Sequence, residues 1–232
     1  VKVALWGFGA MGSGIAKVLL RKKGVVVGNN TIIYVPSKTL IDLQNPHMIQ
    51  IGENVKITEG VKILTHDFTW CVTSQIDGTI TGNVGSVEIG NNVFIGMNSI
   101  ITKDVKIGNN VIIGAGSIVT KDCDDNSVYA GVPAKKIMSI KEYYFKRKER
   151  QIEEAKNIAI KYYQNTGRLP DLKVLREYSF LFGNKLNSTV EQVLRDSGHF
   201  EKCLKTFKEH KPEFDSVDNF LEYCEIKKRK DL

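Results

Sequence analysis

The chain has 232 residues, 42% hydrophobic and 25% charged, enough for one repeat domain with appended elements. No apolar run approaches the roughly 20 residues that span a bilayer. The opening twenty residues are broken by glycines and Lys17 and lack a signal-peptide pattern, so a cytoplasmic protein is expected. The net charge of +7 is concentrated at residues 141–150 and 227–230 with no aromatic-basic platform, which argues against a nucleic-acid partner and for a solvated face able to associate weakly with an anionic membrane surface or polysaccharide.

In chain order, Val3-Ala4-Leu5-Trp6 reads as a strand, followed by Gly7-x-Gly9-x-x-Gly12 and a helical stretch to Lys23. Glycines permit such a turn, and a helix N-terminus favours a pyrophosphate. These first 24 residues resemble the opening of NAD(P)-dependent amino-acid dehydrogenases. A dinucleotide fold needs a second parallel strand ending in an acid about twenty residues on. Here a repeat begins at Val25 and the next acid is Asp42, so NAD is not expected as a cofactor. A strand-helix cap or a fused fragment are the other readings of residues 1–24.

From Val25 the pattern changes. Ile89, Ile95, Ile101, Ile107, Ile113 and Val119 follow one another at six-residue steps. A sustained period of six belongs to neither an isolated helix nor a half-buried strand. It is the signature of a parallel β-helix, in which three strand-plus-corner units close each coil. Residues 91–104 recur as 109–122 with ten of fourteen positions identical. Four coils are anchored at Val27-Gly28, Ile51-Gly52, Ile89-Gly90 and Ile107-Gly108, each followed by x-Asn, residues suited to corners that need unusual backbone angles. Their separations are 24, 38 and 18 residues. Against a bare coil of about 18, the first gap carries a short excess and the second a long one, expelled as loops. The long loop is expected over residues 67–86, directly after His66.

The repeat decays after Asp122, and residues 128–134 read as an extended exit segment because Pro133 disfavours helix at Val132. Beyond Ile140 the period is helical. Helices are expected over 141–163, 172–182, after the capping-box form Ser188-Thr189-Val190-Glu191, and over 200–210 and 217–225. The domain reading is thus a strand-helix element at 1–24, a β-helix at 25–139 and a helical region at 140–232.

Chemistry-bearing residues are few. Cys71, Cys123, Cys203 and Cys224 are scattered and read as free thiols. His199 and His210 fall on helical segments, where an exposed histidine is expected. His47 lies in the first loop. His66 stands at a coil edge beside the long insertion, where a base would face the space between coil wall and loop, or a corner histidine would bond to backbone.

Gly60-Val61-Lys62-Ile63-Leu64-Thr65-His66-Asp67, the double coil 89–122 and the exit Gly131-Val132-Pro133-Ala134-Lys135-Lys136-Ile137 together resemble the hexapeptide-repeat acyltransferases. The likeness lies with the maltose/galactoside and capsular-polysaccharide O-acetyltransferases and covers about half the chain. It implies a mainly β, left-handed parallel β-helix, a homotrimer with sites between neighbouring copies, and acetyl-CoA as donor with no metal. His66 matches the family's general base and Met97 the position whose backbone N–H meets the oxyanion. Phe94 stands where relatives often carry tryptophan. Ala115, Gly116, Thr120, Lys121, Pro133, Ala134, Lys135 and Lys136 match the stretch that lines the coenzyme. Asp67, Trp70 and Asn83 in the insertion are expected to contact a sugar acceptor, or else to pack the loop.

Three other readings remain at this level. A zinc lyase on the same fold needs three converging histidines, and the β-helix segment holds only His47 and His66. A non-catalytic assembly protein would bind no acetyl-CoA. A transferase of another acyl group, or onto an amine, would share every motif above.

Overall fold

A computed structural model describes residues 10–227. They fall into two compact units, Val1–Tyr144 and Phe145–Leu232. The strand expected over residues 3–6, Gly7 and Gly9 lie outside the described residues, as do Lys228, Arg229 and Lys230.

In the first unit the six-residue steps become three stacks of short strands. One holds β1 (Val26–Val27), β4 (Ile49–Ile51), β7 (Val87–Ile89) and β10 (Val105–Ile107). The second holds β2 (Ile32–Ile33), β5 (Lys56–Ile57), β8 (Phe94–Ile95), β11 (Ile112–Ile113) and β13 (Ser127–Ala130), with β14 (Lys135–Ser139) at its edge. The third holds β3 (Leu40–Ile41), β6 (Lys62–Ile63), β9 (Ile100–Ile101) and β12 (Ile118–Val119). All pairings are parallel except β13 with β14.

Register builds the core. Val27, Ile51, Ile89 and Ile107 form one column, Ile33, Ile57, Ile95 and Ile113 a second, and Ile41, Ile63, Ile101 and Val119 a third. Apart from the half-buried Ile41, these side chains are buried in one continuous cluster. Each buried aliphatic contributes roughly 1.5–3 kcal/mol relative to exposure, and only the neighbouring coil supplies that burial. This is a parallel β-helix.

The corners divide the labour of glycine and asparagine differently from expectation. Asn54, Asn92 and Asn110 take the left-handed conformation, at φ 54°, 57° and 55°. Their amides form a ladder, with Asn54 donating to Asn92 at 2.9 Å and Asn92 to Asn110 at 2.8 Å. Gly52 instead permits close stacking: a Cβ there would lie 2.5 Å from the Gly90 carbonyl oxygen.

The excess residues fall where they matter. In the first coil the core step is eight residues from Ile33 to Ile41 and ten from Ile41 to Ile51. In the second, Ile63 is followed by Ile89 in the next column. Both larger expansions leave at the corner after the third sheet, so loop 42–48 and the long insertion emerge side by side. The last coil is shortened, with Cys123 bridging to Ile107.

Helix α1 (Ala10–Lys23) leads directly into β1. Its Ala16 and Leu20 join Val25, Val27 and Ile33 in the core cluster. The buried Ser13 hydroxyl accepts the Ile33 amide at 3.0 Å, and the Arg21 guanidinium donates to the Val27 carbonyl at 2.9 Å. The likeness of this opening to dehydrogenases is therefore not borne out: α1 covers the open end of the first coil, and the next strand pairs within the β-helix. At the other end β13 turns back into β14, and α3 (Ile140–Thr166) begins at Ser139, whose hydroxyl accepts the Glu142 amide at 3.1 Å while Glu142 accepts the Ser139 amide at 2.7 Å.

In the second unit, Ala155 and Ala159 of α3 pack with Leu175, Leu181, Phe182, Phe220, Leu221 and Cys224. The helix expected over 172–182 is a 3-10 segment over Arg176–Leu181, broken at Tyr178 (φ −104°, ψ 16°). α4 (Ser188–Asp196) is capped by Asn187, which accepts the Thr189 and Val190 amides, rather than by Ser188. α5 (Phe200–Glu209) and α6 (Val217–Tyr223) follow. His199 is exposed, but His210 is half-buried, with its ring nitrogens 2.6 Å and 2.9 Å from the Phe207 and Phe180 carbonyls.

Candidate active site

His66 follows β6 at the corner from which the long insertion leaves. The insertion is a clasped excursion rather than a free loop. His66 bridges antiparallel to Val84, the Asp67 amide donates to the Asn83 carbonyl at 3.3 Å, and the Gly85 amide donates to the Thr65 carbonyl at 2.9 Å. A short helix, α2 (Trp70–Thr73), lies within it.

The neighbouring expansion supplies a partner that sequence reasoning missed. Asp42, 8% exposed, places Oδ2 2.5 Å from His66 Nδ1. The same oxygen accepts the Thr65 hydroxyl at 2.5 Å and the Thr65 amide at 3.0 Å, and Oδ1 accepts the Gln44 amide at 2.9 Å. Burial alone would push this carboxyl up. The Thr65 hydroxyl, the Gln44 and Thr65 amides and His66 outweigh it and hold the group at about 2. An ionised carboxylate only accepts, so Nδ1 carries the hydrogen and Nε2 is left as the basic nitrogen. Asp42 was legible only as an acid far from any motif. Its pairing with His66 requires the register that sets β3 beside β6.

The Asp67 carboxylate is engaged within the loop. The Thr69 amide and hydroxyl hold it below the usual carboxylate range, donating to Oδ1 at 3.0 Å and 2.7 Å, and Asn83 donates to Oδ2 at 2.6 Å. Trp70 is half-buried and packs edgewise on Phe68 at 6.0 Å, and Phe68 in turn packs on His66 at 5.2 Å.

The remaining expected residues divide between two corners. Thr120 and Lys121 are exposed at the corner after the third sheet, in the same row as His66. Met97, Ala115 and Gly116 are exposed at the other end of that sheet, where the Gly116 amide donates to the Met97 carbonyl at 2.7 Å. The Met97 amide has no acceptor among the described residues. Pro133 and Ala134 cap that second row, the Ala134 amide donating to the Ile118 carbonyl at 2.8 Å. Phe94 is exposed on the second sheet between Lys56 and Ile112. Lys135 is exposed, while Lys136 pairs with Asp124 at 3.0 Å, which raises the lysine and lowers the aspartate. About six residues of strand and corner, roughly 20 Å at strand rise, separate the His66 row from the Met97 row within one chain. One chain therefore does not bring these two residues together.

A family model for the bacterial transferase hexapeptide (six repeats) matches residues 86–121. Protein CapG of Staphylococcus aureus is 48% identical over 128 residues, which span 53% of this chain and 71% of CapG. The chain belongs to the bacterial hexapeptide-repeat transferases. That membership gives transferase chemistry, in keeping with what the motifs led one to expect. Among solved structures, a maltose O-acetyltransferase from Clostridium difficile 630 is 29% identical, with 53% of this chain and 73% of that one covered and a TM-score of 0.40. A hexapeptide-repeat-containing acetyltransferase from Vibrio cholerae O1 biovar eltor, complexed with acetyl coenzyme A, is 19% identical, with 53% and 75% covered and a TM-score of 0.40.

Proposed function

We infer that this protein is an O-acetyltransferase that moves the acetyl group of acetyl-CoA to a hydroxyl of a sugar or polysaccharide, with His66 as general base. The observation that carries this reading is the Asp42–His66 pair at 2.5 Å, which fixes the imidazole with Nε2 as the basic nitrogen. In this scheme Nε2 takes the proton from the acceptor hydroxyl as that oxygen attacks the thioester carbonyl. The tetrahedral oxyanion is met by the Met97 amide. Collapse breaks the carbon–sulfur bond, and the departing CoA thiolate recovers the proton from His66. Base catalysis of this kind contributes about 10²–10⁴-fold.

The 20 Å-scale separation of the two rows supports a site shared between copies, with His66 from one chain and Met97 from the next. A homotrimer of left-handed β-helices closes three such sites by repeating one heterologous contact. The coenzyme then runs past Ala115 and Gly116 toward Pro133, Ala134 and Lys135, with Phe94, Thr120, Lys121 and Lys136 at its margins. Lys136 reaches a phosphate only by leaving Asp124. Within the acceptor loop, Trp70 offers a flat face, while Asp67 and Asn83 shape the loop through their mutual bond.

The test is an acetyl-CoA-dependent screen of sugars, nucleotide-sugars and polysaccharide fragments, read as release of free CoA thiol. Release with a carbohydrate acceptor, abolished in His66→Ala, is the expected result. Binding of acetyl-CoA without release on any acceptor would favour an assembly role, and release onto an amine would change the acceptor class.

A further inference from the structure

Beside the base lies an aromatic side chain that the loop's own architecture leaves uncovered. Phe68 is 59% exposed, although it sits only two residues from His66 in a hairpin base clasped by four hydrogen bonds to Asp67 and Asn83. Its ring meets the imidazole edge-to-face, with centroids 5.2 Å apart at 85°. Trp70 also packs edgewise on it, at 6.0 Å and 66°. Both side-chain oxygens of Asp67 and one N–H of the Asn83 amide are engaged in the clasp. The polar handles expected to hold a sugar therefore hold the loop. What the described residues leave exposed around the imidazole is largely apolar: Phe68 against its ring, and Val84, bridged to His66 and itself 50% exposed.

We propose that Phe68 is the acceptor platform: a pyranose ring lays an apolar C–H face on its exposed side while one ring hydroxyl reaches His66. This deepens the reading of His66 as a base that activates a sugar hydroxyl, and rests on it. Placing a hydroxyl at a nitrogen of the imidazole, whose ring centroid lies 5.2 Å from that of Phe68, brings the rest of a six-membered ring over or beside that phenyl group. An aromatic face, large and apolar, matches the C–H face of a saturated sugar. Phe68 thus sets specificity toward acceptors with an unobstructed apolar face, and against those that present a carboxylate or phosphate there, which would lose hydration without gaining a partner.

The test uses the full chain and four probes: methyl β-D-galactopyranoside, methyl β-D-glucopyranoside, methyl 2-acetamido-2-deoxy-β-D-glucopyranoside and methyl β-D-glucopyranosiduronate. Saturation transfer from protein to sugar protons is recorded for wild type, Phe68→Ala, Phe68→Leu and Phe68→Tyr, with melting temperature and acetyl-CoA affinity as controls. The expected result is transfer concentrated on the C–H protons of one face of a neutral pyranoside. Its affinity should be retained in Phe68→Tyr and about tenfold weaker in Phe68→Ala and Phe68→Leu, with the uronate bound least. For any probe that is acetylated, Phe68→Ala should raise KM by about the same factor and leave kcat within about threefold. Wild-type affinity in Phe68→Ala, transfer to none of the four pyranosides, or a fall in kcat at constant KM would each overturn the proposal, the last by showing that Phe68 merely steadies the imidazole. Pyranoside stacking without CoA release would leave Phe68 as a sugar platform and instead count against the acetyl-transfer reading.

Discussion

Asp42 and His66 are 24 residues apart in the chain and 2.5 Å apart at Oδ2 and Nδ1. The pairing follows from the first coil lying directly beneath the second, with Ile41 registered against Ile63, so that the residues after both strands meet at one corner. The Thr65 hydroxyl and amide hold the same carboxylate oxygen, fixing the acid before it fixes the base.

If His66 takes the acceptor proton, His66→Ala lowers turnover by about 10²-fold or more while acetyl-CoA affinity and melting temperature stay near wild type. Near-normal turnover in that folded variant would remove His66 from the mechanism. Asp42→Asn keeps the shape but offers an N–H donor where an acceptor is needed, so turnover should fall at least about tenfold through the wrong tautomer. Steady-state kinetics of the two variants and of their combination measure the coupling. A double variant no worse than His66→Ala alone is the expected outcome.

The carboxyl of Asp42 sits at about 2, below its ordinary 3.8. Its ionised form therefore stabilises the fold above about pH 4, and that stabilisation is lost as pH falls through about 2. One pKa unit corresponds to about 1.4 kcal/mol, so the contribution is on the order of 2 kcal/mol. Denaturant melts between pH 5 and 2 should show wild type losing this increment and Asp42→Asn showing a shallower slope. Parallel pH profiles for the two proteins would contradict the assignment.

Helix α1 is expected to matter for stability and not for chemistry. Removing residues 1–23 uncovers Val25, Val27 and Ile33, which α1 now buries, and should lower the melting temperature while acetyl-CoA binding and transfer persist. A gentler probe is Ser13→Ala, which orphans the buried Ile33 amide at a cost of about 1–3 kcal/mol. Titration with NADH and NADPH gives the opposing check. Micromolar binding lost on enlarging Gly9 and Gly12 would give the opening a cofactor role.

The division of the site between two corners predicts complementation. Met97→Pro removes the amide proposed for the oxyanion, and His66→Ala removes the base. Each variant alone should be inactive by about 10²-fold or more, yet coexpressed chains should recover a measurable fraction of activity, because mixed assemblies contain sites with an intact His66 from one copy and an intact Met97 from another. Light scattering should report about three times the 26.0 kDa chain mass. Full activity in a monomer would refute the shared site.

The repeat could be read from the sequence because each rung obeys the same local rule. An aliphatic residue every sixth position must point inward, so Ile89, Ile95 and Ile101 announce the columns they occupy. The long insertion and the place of His66 at its edge followed from counting against that period, while the resemblance to the hexapeptide-repeat acyltransferases singled out His66 as the base. Where local preference had to compete with packing, the sequence was less informative. Residues 172–182 have helical spacing but settle into a broken 3-10 segment, and Asn187 rather than Ser188 caps α4. The opening glycine motif has the local form of a nucleotide-binding turn, yet α1 is drawn onto the coil end by the apolar surface of Val25, Val27 and Ile33. The tertiary structure alone decided that Asp42 belongs to His66, that Asp67 and Asn83 hold each other, that Phe68 stands bare beside the base, and that Met97 lies at the far end of the same sheet. Each of these depends on which corner a residue reaches after the coils stack, and that is a property of register between distant strands rather than of any local pattern.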